Sequence, residues 1–238
     1  MPSKNGVGAI VPAAGRGKRL GGKIPKAFVR IAGAPLFIHT LRALLRAYPF
    51  SEAILVTDAS YLARARKLLR DYRLKKVRAV AGGATRAASV KNGLLALSPS
   101  VRTAAVHDAA RPMVPASVVR RTVAAGRKNG GAICALPVSS TVKRLFGRRP
   151  IVRGTENRDE LVLAQTPQVF DKAMLLARYR TLGARAMGAT DEAALFDGTR
   201  VRVRVVEGAE RNFKITTKKD LELFKHFVGN GHARSLRD

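Results

Sequence analysis

The sequence predicts an α/β fold: a single domain with a mostly parallel, twisted sheet and a protruding β-hairpin arm. Short apolar runs typical of buried strands alternate with stretches of helical periodicity. Strands that alternate with helices favour a parallel sheet with right-handed crossovers. The 238 residues contain no long polar linker, so we assign residues 1–238 to one domain.

Apolar runs and periodic stretches define the predicted elements. The predicted strands cover residues 7–12, 53–57, 77–81, 104–107, 132–138 and 201–206. The predicted helices cover residues 35–47, 60–69, 86–97, 117–129, 171–182 and a last helix that starts at Thr217. Ser60 is the predicted N-cap of its helix, and Asp220 follows Thr217 at near capping-box spacing. The tail at about 229–238 is predicted to fray.

One segment, at about 139–157, breaks the alternation of strands and helices. Two short runs with β character, 141–146 and 151–152, flank the turn sequence Gly-Arg-Arg-Pro at 147–150. We therefore predict a two-stranded hairpin that leaves the core as an arm.

The charge balance is strongly basic. The chain has 45 Lys and Arg residues against 16 Asp and Glu, a formal net charge of +29. Such a field attracts nucleic acid, anionic membranes or phosphorylated metabolites. Aromatic residues make up only 5% and tryptophan is absent, so stacking platforms for bases are scarce. No apolar run approaches the roughly 20 residues that span a bilayer. We expect a soluble, cytoplasmic protein with phosphate-rich ligands and no membrane partner, and a nucleic-acid partner is the less favoured alternative.

Cysteine and histidine usage argues against disulfide and zinc sites. The single cysteine, Cys134, lies in an apolar run and is predicted to be a buried, inert thiol. One cysteine and four scattered histidines show no zinc-ligand spacing. The sequence also shows no Ser-His-Asp or paired-carboxylate constellation.

The strongest local signal follows the first predicted strand. Residues 12–20 read Pro-Ala-Ala-Gly-Arg-Gly-Lys-Arg-Leu. Small residues let the backbone approach a ligand closely, and exposed amides can cradle phosphate oxygens. Leu20 stands where a Rossmann loop needs its third glycine, and the spacing does not fit a Walker loop. Lys26, after Pro25, adds a candidate cation, although this pattern alone is as consistent with a structural turn.

Further segments add to this loop. They are Gly-Gly-Ala-Thr-Arg-Ala-Ala-Ser-Val at 82–90, Val-His-Asp-Ala-Ala-Arg-Pro at 106–112, Ala-Gln-Thr-Pro-Gln at 164–168, Thr-Asp-Glu-Ala at 190–193, Glu-Gly at 207–208 and Asn-Phe-Lys-Ile-Thr at 212–216. In order and spacing they resemble the 2-C-methyl-D-erythritol 4-phosphate cytidylyltransferase family of the non-mevalonate isoprenoid pathway. The resemblance runs from about residue 8 to residue 227. The ribitol 5-phosphate cytidylyltransferase family shares much of the pattern and is the alternative.

The resemblance implies a Rossmann-like nucleotidyltransferase domain that moves a cytidylyl group from CTP to 2-C-methyl-D-erythritol 4-phosphate and releases pyrophosphate. The attacking phosphate monoester is largely ionised at neutral pH because its second pKa is about 6. No general base is therefore required. The enzyme must instead hold two anions in line and neutralise the charge that develops.

Family similarity also implies which residues meet CTP. It assigns phosphate contacts in catalysis to Arg19, Lys26 and Lys214. It assigns nucleotide binding to Ala13, Ala14, Gly15, Gly17, Gly83, Arg86, Ser89 and Asp108. The chain departs from the family at Ala84, where an acidic residue often stands.

Asp108 is the candidate ligand for Mg²⁺ or another divalent cation. It follows a predicted strand, where open parallel sheets bind ligands. Magnesium typically uses one or two carboxylates together with substrate phosphates and water. A helix-capping role for Asp108 is the alternative. His107 is predicted to be a packed neighbour rather than a ligand.

The resemblance further implies that Arg111, Thr141, Arg158, Thr190 and Asp191 bind the acceptor. Thr141 and Arg158 flank the predicted arm, which in the family crosses to a partner subunit. We therefore predict a homodimer through the arm. An arm folded back on its own subunit is the alternative.

Overall fold

The computed structural model describes residues 6–15 and 24–229, and these contain eleven strands and six α-helices. The strands are β1 (Gly6–Pro12), β2 (Arg30–Ile31), β3 (Ala34–Pro35), β4 (Glu52–Thr57), β5 (Val77–Ala81), β6 (Val101–Val106), β7 (Gly131–Pro137), β8 (Lys143–Leu145), β9 (Val152–Thr155), β10 (Val162–Asp171) and β11 (Arg204–Glu207). The helices are α1 (Leu36–Ala47), α2 (Leu62–Asp71), α3 (Arg86–Ala96), α4 (Ala116–Asn129), α5 (Lys172–Leu182) and α6 (Lys218–Gly229). The predicted helices and strands are all present, with ends shifted by a few residues.

Seven strands form the central sheet, in the order β11-β7-β10-β6-β1-β4-β5. Strand β1 pairs in parallel with β4 and β6, and β4 pairs in parallel with β5. Strand β11 pairs in parallel with β7. The predicted α/β class with a mostly parallel sheet is therefore confirmed.

Strand β10 was not predicted, and it runs antiparallel to both of its neighbours, β6 and β7. It contains Pro167, which cannot donate a ladder hydrogen bond and argues against a central strand. The structure accommodates the proline at an irregularity, because the pairing with β7 shifts register between Ala164 and Gln168.

The sheet is covered on both faces, and the alternation of side chains along each strand separates the two layers. Val11 and Leu55 pack on the side of α1, α2 and α4, whereas Ile10 and Ile54 pack on the side of α3 and α5. All four side chains are fully buried. This double layer explains why the strands read as continuous apolar runs.

Two helix starts test the capping predictions. The N-cap prediction for Ser60 is wrong: Asp58 accepts a hydrogen bond from the Ser60 amide, a 3₁₀ turn covers Ala59–Tyr61, and α2 begins only at Leu62. Asp58 can do this because a carboxylate competes well for free amides at a helix start. At α6 the capping box is present. The Asp220 amide donates to the Thr217 hydroxyl, and the Thr217 amide donates to the Asp220 carboxylate at 2.7 Å.

The arm is a separate two-stranded antiparallel sheet made by β8 and β9. Every residue of both strands is exposed. Arg144 pairs with Glu156 across the hairpin, and Lys143 donates to Thr155 at 2.6 Å. None of the helices within 6–15 and 24–229 has the length and apolar character needed to cross a bilayer. The tail beyond residue 229 lies outside the described residues.

Candidate active site

A cavity of about 740 Å³ opens beyond the carboxyl ends of β1 and β6, beside the first turn of α3. In parallel sheets this edge is the usual ligand site. The predicted site residues that line the cavity are Ala13, Ala14, Gly15, Lys26, Gly83, Arg86, Ser89, Asp108 and Lys214. Gly17 and Arg19, also predicted, lie outside the described residues.

Close backbone packing shapes one wall of the cavity. The amide of Ala13 donates to the Val56 carbonyl at 2.7 Å, which holds the start of the loop after β1 against β4. The amide of Gly83 donates to the Ser89 hydroxyl at 3.1 Å. A Cβ on Gly83 would lie 2.6 Å from the Cβ of Ala88. Glycine is therefore required for this loop to approach α3 so closely.

Asp108 is the electrostatic centre of the cavity. Its Oδ1 accepts from the Nε and Nη2 of Arg86 at 3.3 and 3.2 Å. Its Oδ2 lies 2.7 Å from the Nζ of Lys214 and 4.0 Å from the Nε of Arg111. Burial alone would raise the pKa of Asp108, but Arg86 and Lys214 outweigh it and hold this pKa well below its ordinary value. Asp108 is therefore a carboxylate at any physiological pH.

Glu192 is a second buried carboxylate that the sequence interpretation did not include among the site residues. Its two oxygens accept from Nη1 and Nη2 of Arg86 at 2.8 and 3.0 Å. Burial raises the pKa of Glu192, although Arg86 opposes this effect. The signal available in the sequence was its place in the Thr-Asp-Glu motif, but nothing local indicated its partner.

The two lysines that line the cavity, Lys26 and Lys214, are far apart in the sequence. Lys26 donates from Nζ to the Ile215 carbonyl at 2.6 Å, next to Lys214 in sequence. The side chain of Lys214 is 39% exposed, so this residue is accessible as well as paired. The C-terminal part of the chain thus brings both lysines to the cavity, where they add positive charge.

None of the five predicted acceptor residues lines the cavity, although the Nε of Arg111 lies 4.0 Å from the carboxylate of Asp108, which does. Arg111 is buried and donates to the Asn212 carbonyl at 2.6 Å. Thr141 and Arg158 are exposed beside the arm, and Arg158 donates to the Ser139 carbonyl at 2.9 Å. Thr190 is exposed, and Asp191 accepts from Gln168 at 2.9 Å. Within one chain, Arg111, Arg158 and Asp191 thus bond to three separate segments, at residues 212, 139 and 168.

Both ring nitrogens of His107 have hydrogen-bond partners within the protein, as expected for a buried residue with a structural role. It is completely buried, and burial lowers its pKa to about 4. Its Nε2 lies 3.0 Å from the Arg111 carbonyl, an acceptor, so we assign the ring proton there. The Thr166 hydroxyl accepts from the Asp108 amide and lies 3.0 Å from His107 Nδ1, to which it can donate. The neutral ring thus supports the Asp108 backbone.

The site's fit to a divalent cation depends on Asp108 alone. No group of three or more His, Cys, Asp or Glu side chains suited to a metal occurs within 6–15 and 24–229. Asp108 lines the cavity, yet both of its oxygens already face cations. It fits magnesium as a single protein ligand, with the remaining ligands supplied by phosphate and water.

Comparison with known proteins identifies a matching family. The family model for 2-C-methyl-D-erythritol 4-phosphate cytidylyltransferase, IspD, matches residues 7–230. A protein of that name from Xanthomonas axonopodis pv. citri is 42% identical over 230 residues, covering 93% of this chain and 84% of the relative. The bifunctional enzyme IspD/IspF of Desulfotalea psychrophila is 40% identical over 225 residues, 94% of this chain. The chain spans 57% of that bifunctional relative's length.

Solved structures give the same result for the fold. The 4-diphosphocytidyl-2C-methyl-D-erythritol synthase of Anaerococcus prevotii superimposes with a TM-score of 0.82 at 31% identity, covering 95% of this chain and 97% of that one. The 2-C-methyl-D-erythritol 4-phosphate cytidylyltransferase of Thermus thermophilus gives a TM-score of 0.76 at 32% identity, with 93% and 98% covered.

Proposed function

This chain belongs to the 2-C-methyl-D-erythritol 4-phosphate cytidylyltransferase family, and we propose that its cavity is where CTP reacts with 2-C-methyl-D-erythritol 4-phosphate. The reaction supplies a precursor for isoprenoid synthesis. The observation that carries this assignment is the cluster of cations that line the cavity: Lys26, together with Arg86 and Lys214, which both pair with Asp108. Such a cluster suits a triphosphate.

In this reaction a phosphate oxygen of the acceptor attacks the α-phosphorus of CTP. The new bond joins that oxygen to phosphorus, and the bond from the α-phosphorus to the bridging oxygen breaks, so pyrophosphate leaves with the electron pair. Because the acceptor phosphate is already largely ionised, the protein contributes position and positive charge rather than a proton acceptor. Lys26 and Lys214 supply this charge from the cavity wall.

The other proposed nucleotide contacts combine family similarity with the cavity lining. The backbone from Ala13 to Gly15 approaches the phosphates, as small residues permit. Gly83, Arg86 and Ser89 line the same cavity, and family similarity assigns them to the cytosine and ribose side. Gly17 and Arg19 are assigned to the same phosphates on family similarity alone.

Mg²⁺, or another divalent cation, is the proposed cofactor, held by Asp108 together with phosphate and water. When bound, the cation supplies charge that offsets the repulsion between the triphosphate and the acceptor phosphate. Asp108 also pairs with Lys214 and Arg86 at the cavity.

A homodimer through the arm would complete the acceptor site. The arm exposes Leu145, Phe146, Ile151 and Val152, each by more than 40%. A two-stranded hairpin is marginally stable alone in water, so these side chains favour a covering surface. We propose that the arm covers a second copy of the chain and that Thr141 and Arg158 serve that copy's site. The cytoplasmic location stays a prediction.

The experiment that tests this function measures pyrophosphate release. The protein is incubated with each of the four common nucleoside triphosphates and with 2-C-methyl-D-erythritol 4-phosphate, ribitol 5-phosphate or no acceptor. We expect release only with CTP and the methylerythritol acceptor. Equal release from UTP or ATP, or release that does not depend on the acceptor, would reject the assignment.

A further inference from the structure

Glu192 does not line the cavity, yet it contacts a residue that does. Its side chain is buried, and each of its oxygens accepts from a different terminal nitrogen of Arg86. Arg86 is the first residue of α3 and lines the cavity, with a quarter of its side chain exposed. The carboxylate therefore acts on the cavity through the guanidinium.

Two carboxylates hold the Arg86 guanidinium from different edges. Asp108 takes the edge formed by Nε and Nη2, and Glu192 takes the edge formed by Nη1 and Nη2. An arginine fork that is bonded along two edges has its plane fixed. With Asp108 alone, Nη1 would lose its bond to Glu192, and the guanidinium could rotate away from the nucleotide.

Glu192 is itself held firmly by β10. Its amide donates to Oε1 of Gln168 at 3.0 Å, and the next amide, of Ala193, donates to the same oxygen at 3.1 Å. The Nε2 of Gln168 donates to Asp191. The buried glutamine thus fixes the segment that places Glu192 against α3.

A gain in folding stability is a weak explanation for the buried ion pair between Arg86 and Glu192. Moving a carboxylate and a guanidinium out of water costs free energy that their attraction offsets only with good geometry, and apolar replacements are often as stable. Because Arg86 faces the cavity, a role in orienting it accounts better for the geometry.

We propose that Glu192 is a positioning residue that sets the orientation of Arg86 toward the bound nucleotide. This inference rests on the proposed function of the cavity. It predicts that loss of the Glu192 charge weakens CTP binding while the chemical step is affected less.

The first test is the kinetics of Glu192→Gln. The amide keeps the shape of the side chain but accepts through only one oxygen. We expect the KM for CTP to rise about tenfold, which lies within the range of coupling between contacting residues, with a smaller change in kcat. Glu52→Gln is the matched control, because Glu52 also accepts from an arginine, Arg78, at 2.8 Å, but lies at the start of β4, at the opposite end of the strands from the cavity. It should leave the KM unchanged.

The second test is a double-mutant cycle with Arg86→Gln. If Glu192 acts through Arg86, the double variant has the same KM for CTP as Arg86→Gln alone. Fully additive effects, or a wild-type KM in Glu192→Gln, would overturn the inference. If Glu192→Gln does not fold, Glu192→Asp replaces it, because the shorter side chain cannot keep both bonds, and a wild-type KM there would overturn the inference equally.

A third measurement separates this inference from the proposed function. In the ligand-free protein, NMR of the guanidinium should show slow rotation of the Arg86 η nitrogens in the wild type and fast rotation in Glu192→Gln. Fast rotation in the wild type would reject the positioning role. Absence of CTP turnover in the wild type would instead reject the proposed function and leave the NMR result to decide the role of Glu192.

Discussion

Lys214 donates from its ammonium group to the carboxylate of Asp108 across 2.7 Å. This pair joins the C-terminal part of the chain to the loop that follows a central strand of the sheet. Asp108 follows β6, and Lys214 precedes α6. The pair holds a partly exposed cation beside the cavity. A phosphate group that enters the cavity can therefore pair with an ammonium group that is already in place.

Replacing Lys214 tests whether this cation works in the reaction. We expect Lys214→Ala to lower kcat/KM by about 100-fold or more, because one charge-assisted donor in such a site is worth roughly 3 kcal/mol. The melting temperature should change little, because Asp108 keeps Arg86 as a partner. Lys67→Ala, which removes an exposed lysine paired with Asp71, is the control and should keep full activity. Near-normal turnover in Lys214→Ala would show that the lysine is only a surface charge.

Removal of divalent ions tests the cofactor assignment. Excess EDTA should abolish turnover, and added Mg²⁺ should restore it. Asp108→Asn should need more Mg²⁺ for half-maximal rate, because the amide lacks the charge that attracts the ion. Asp71→Asn, at an exposed ion pair, should keep the wild-type requirement. Full activity in EDTA would remove the metal from the mechanism.

Mixing two inactive variants tests the shared site. Lys26→Ala and Arg158→Ala are combined under conditions that allow subunits to exchange. If Arg158 serves the neighbouring subunit, a mixed dimer contains one site with both defects and one intact site, so activity returns. If each subunit uses its own Arg158, every site keeps one defect and the mixture stays inactive. A monomer at micromolar concentration would also contradict the dimer.

The buried ring of His107 predicts a specific pH dependence of stability. Burial lowers the pKa of His107 from 6.5 to about 4. Between these values the unfolded chain takes up a proton that the folded chain does not, so stability falls as the pH drops from about 6.5 to 4. The loss approaches about 3 kcal/mol.

Urea unfolding at several pH values measures this loss. Burial also lowers the pKa of His39, so both rings contribute in the same direction. The difference between the wild type and His107→Gln isolates the contribution of His107. Parallel pH profiles for the two proteins would contradict the prediction.

The sequence predicted the elements whose patterns are local. Continuous apolar runs such as residues 53–57 predicted buried strands, and Thr217 with Asp220 predicted a helix start. Strand β10 was missed because its centre, Gln-Thr-Pro-Gln, is polar and contains Pro167. Its pairing with β6 and β7 depends on segments distant in the chain.

The residues of the candidate site also fall into those that a local motif predicts and those that depend on distant segments. The residues of the cavity that belong to short motifs, such as Gly83 and Asp108, could be assigned by their resemblance to a family. The link between Arg86 and Glu192 spans 106 residues and appears only once the chain is folded. The position of Arg111 was also inaccessible, since its partner carbonyl belongs to Asn212. Long-range polar pairs leave no periodicity that a sequence pattern could reveal.

The most direct test of the central claim is a competition between the two acceptors. The protein is given CTP with equal concentrations of 2-C-methyl-D-erythritol 4-phosphate and ribitol 5-phosphate, and the products are resolved by mass spectrometry. We predict that the cytidine diphosphate derivative of methylerythritol forms in large excess, together with an equal amount of pyrophosphate. Predominant formation of the ribitol derivative, or the formation of neither derivative, would contradict the assignment.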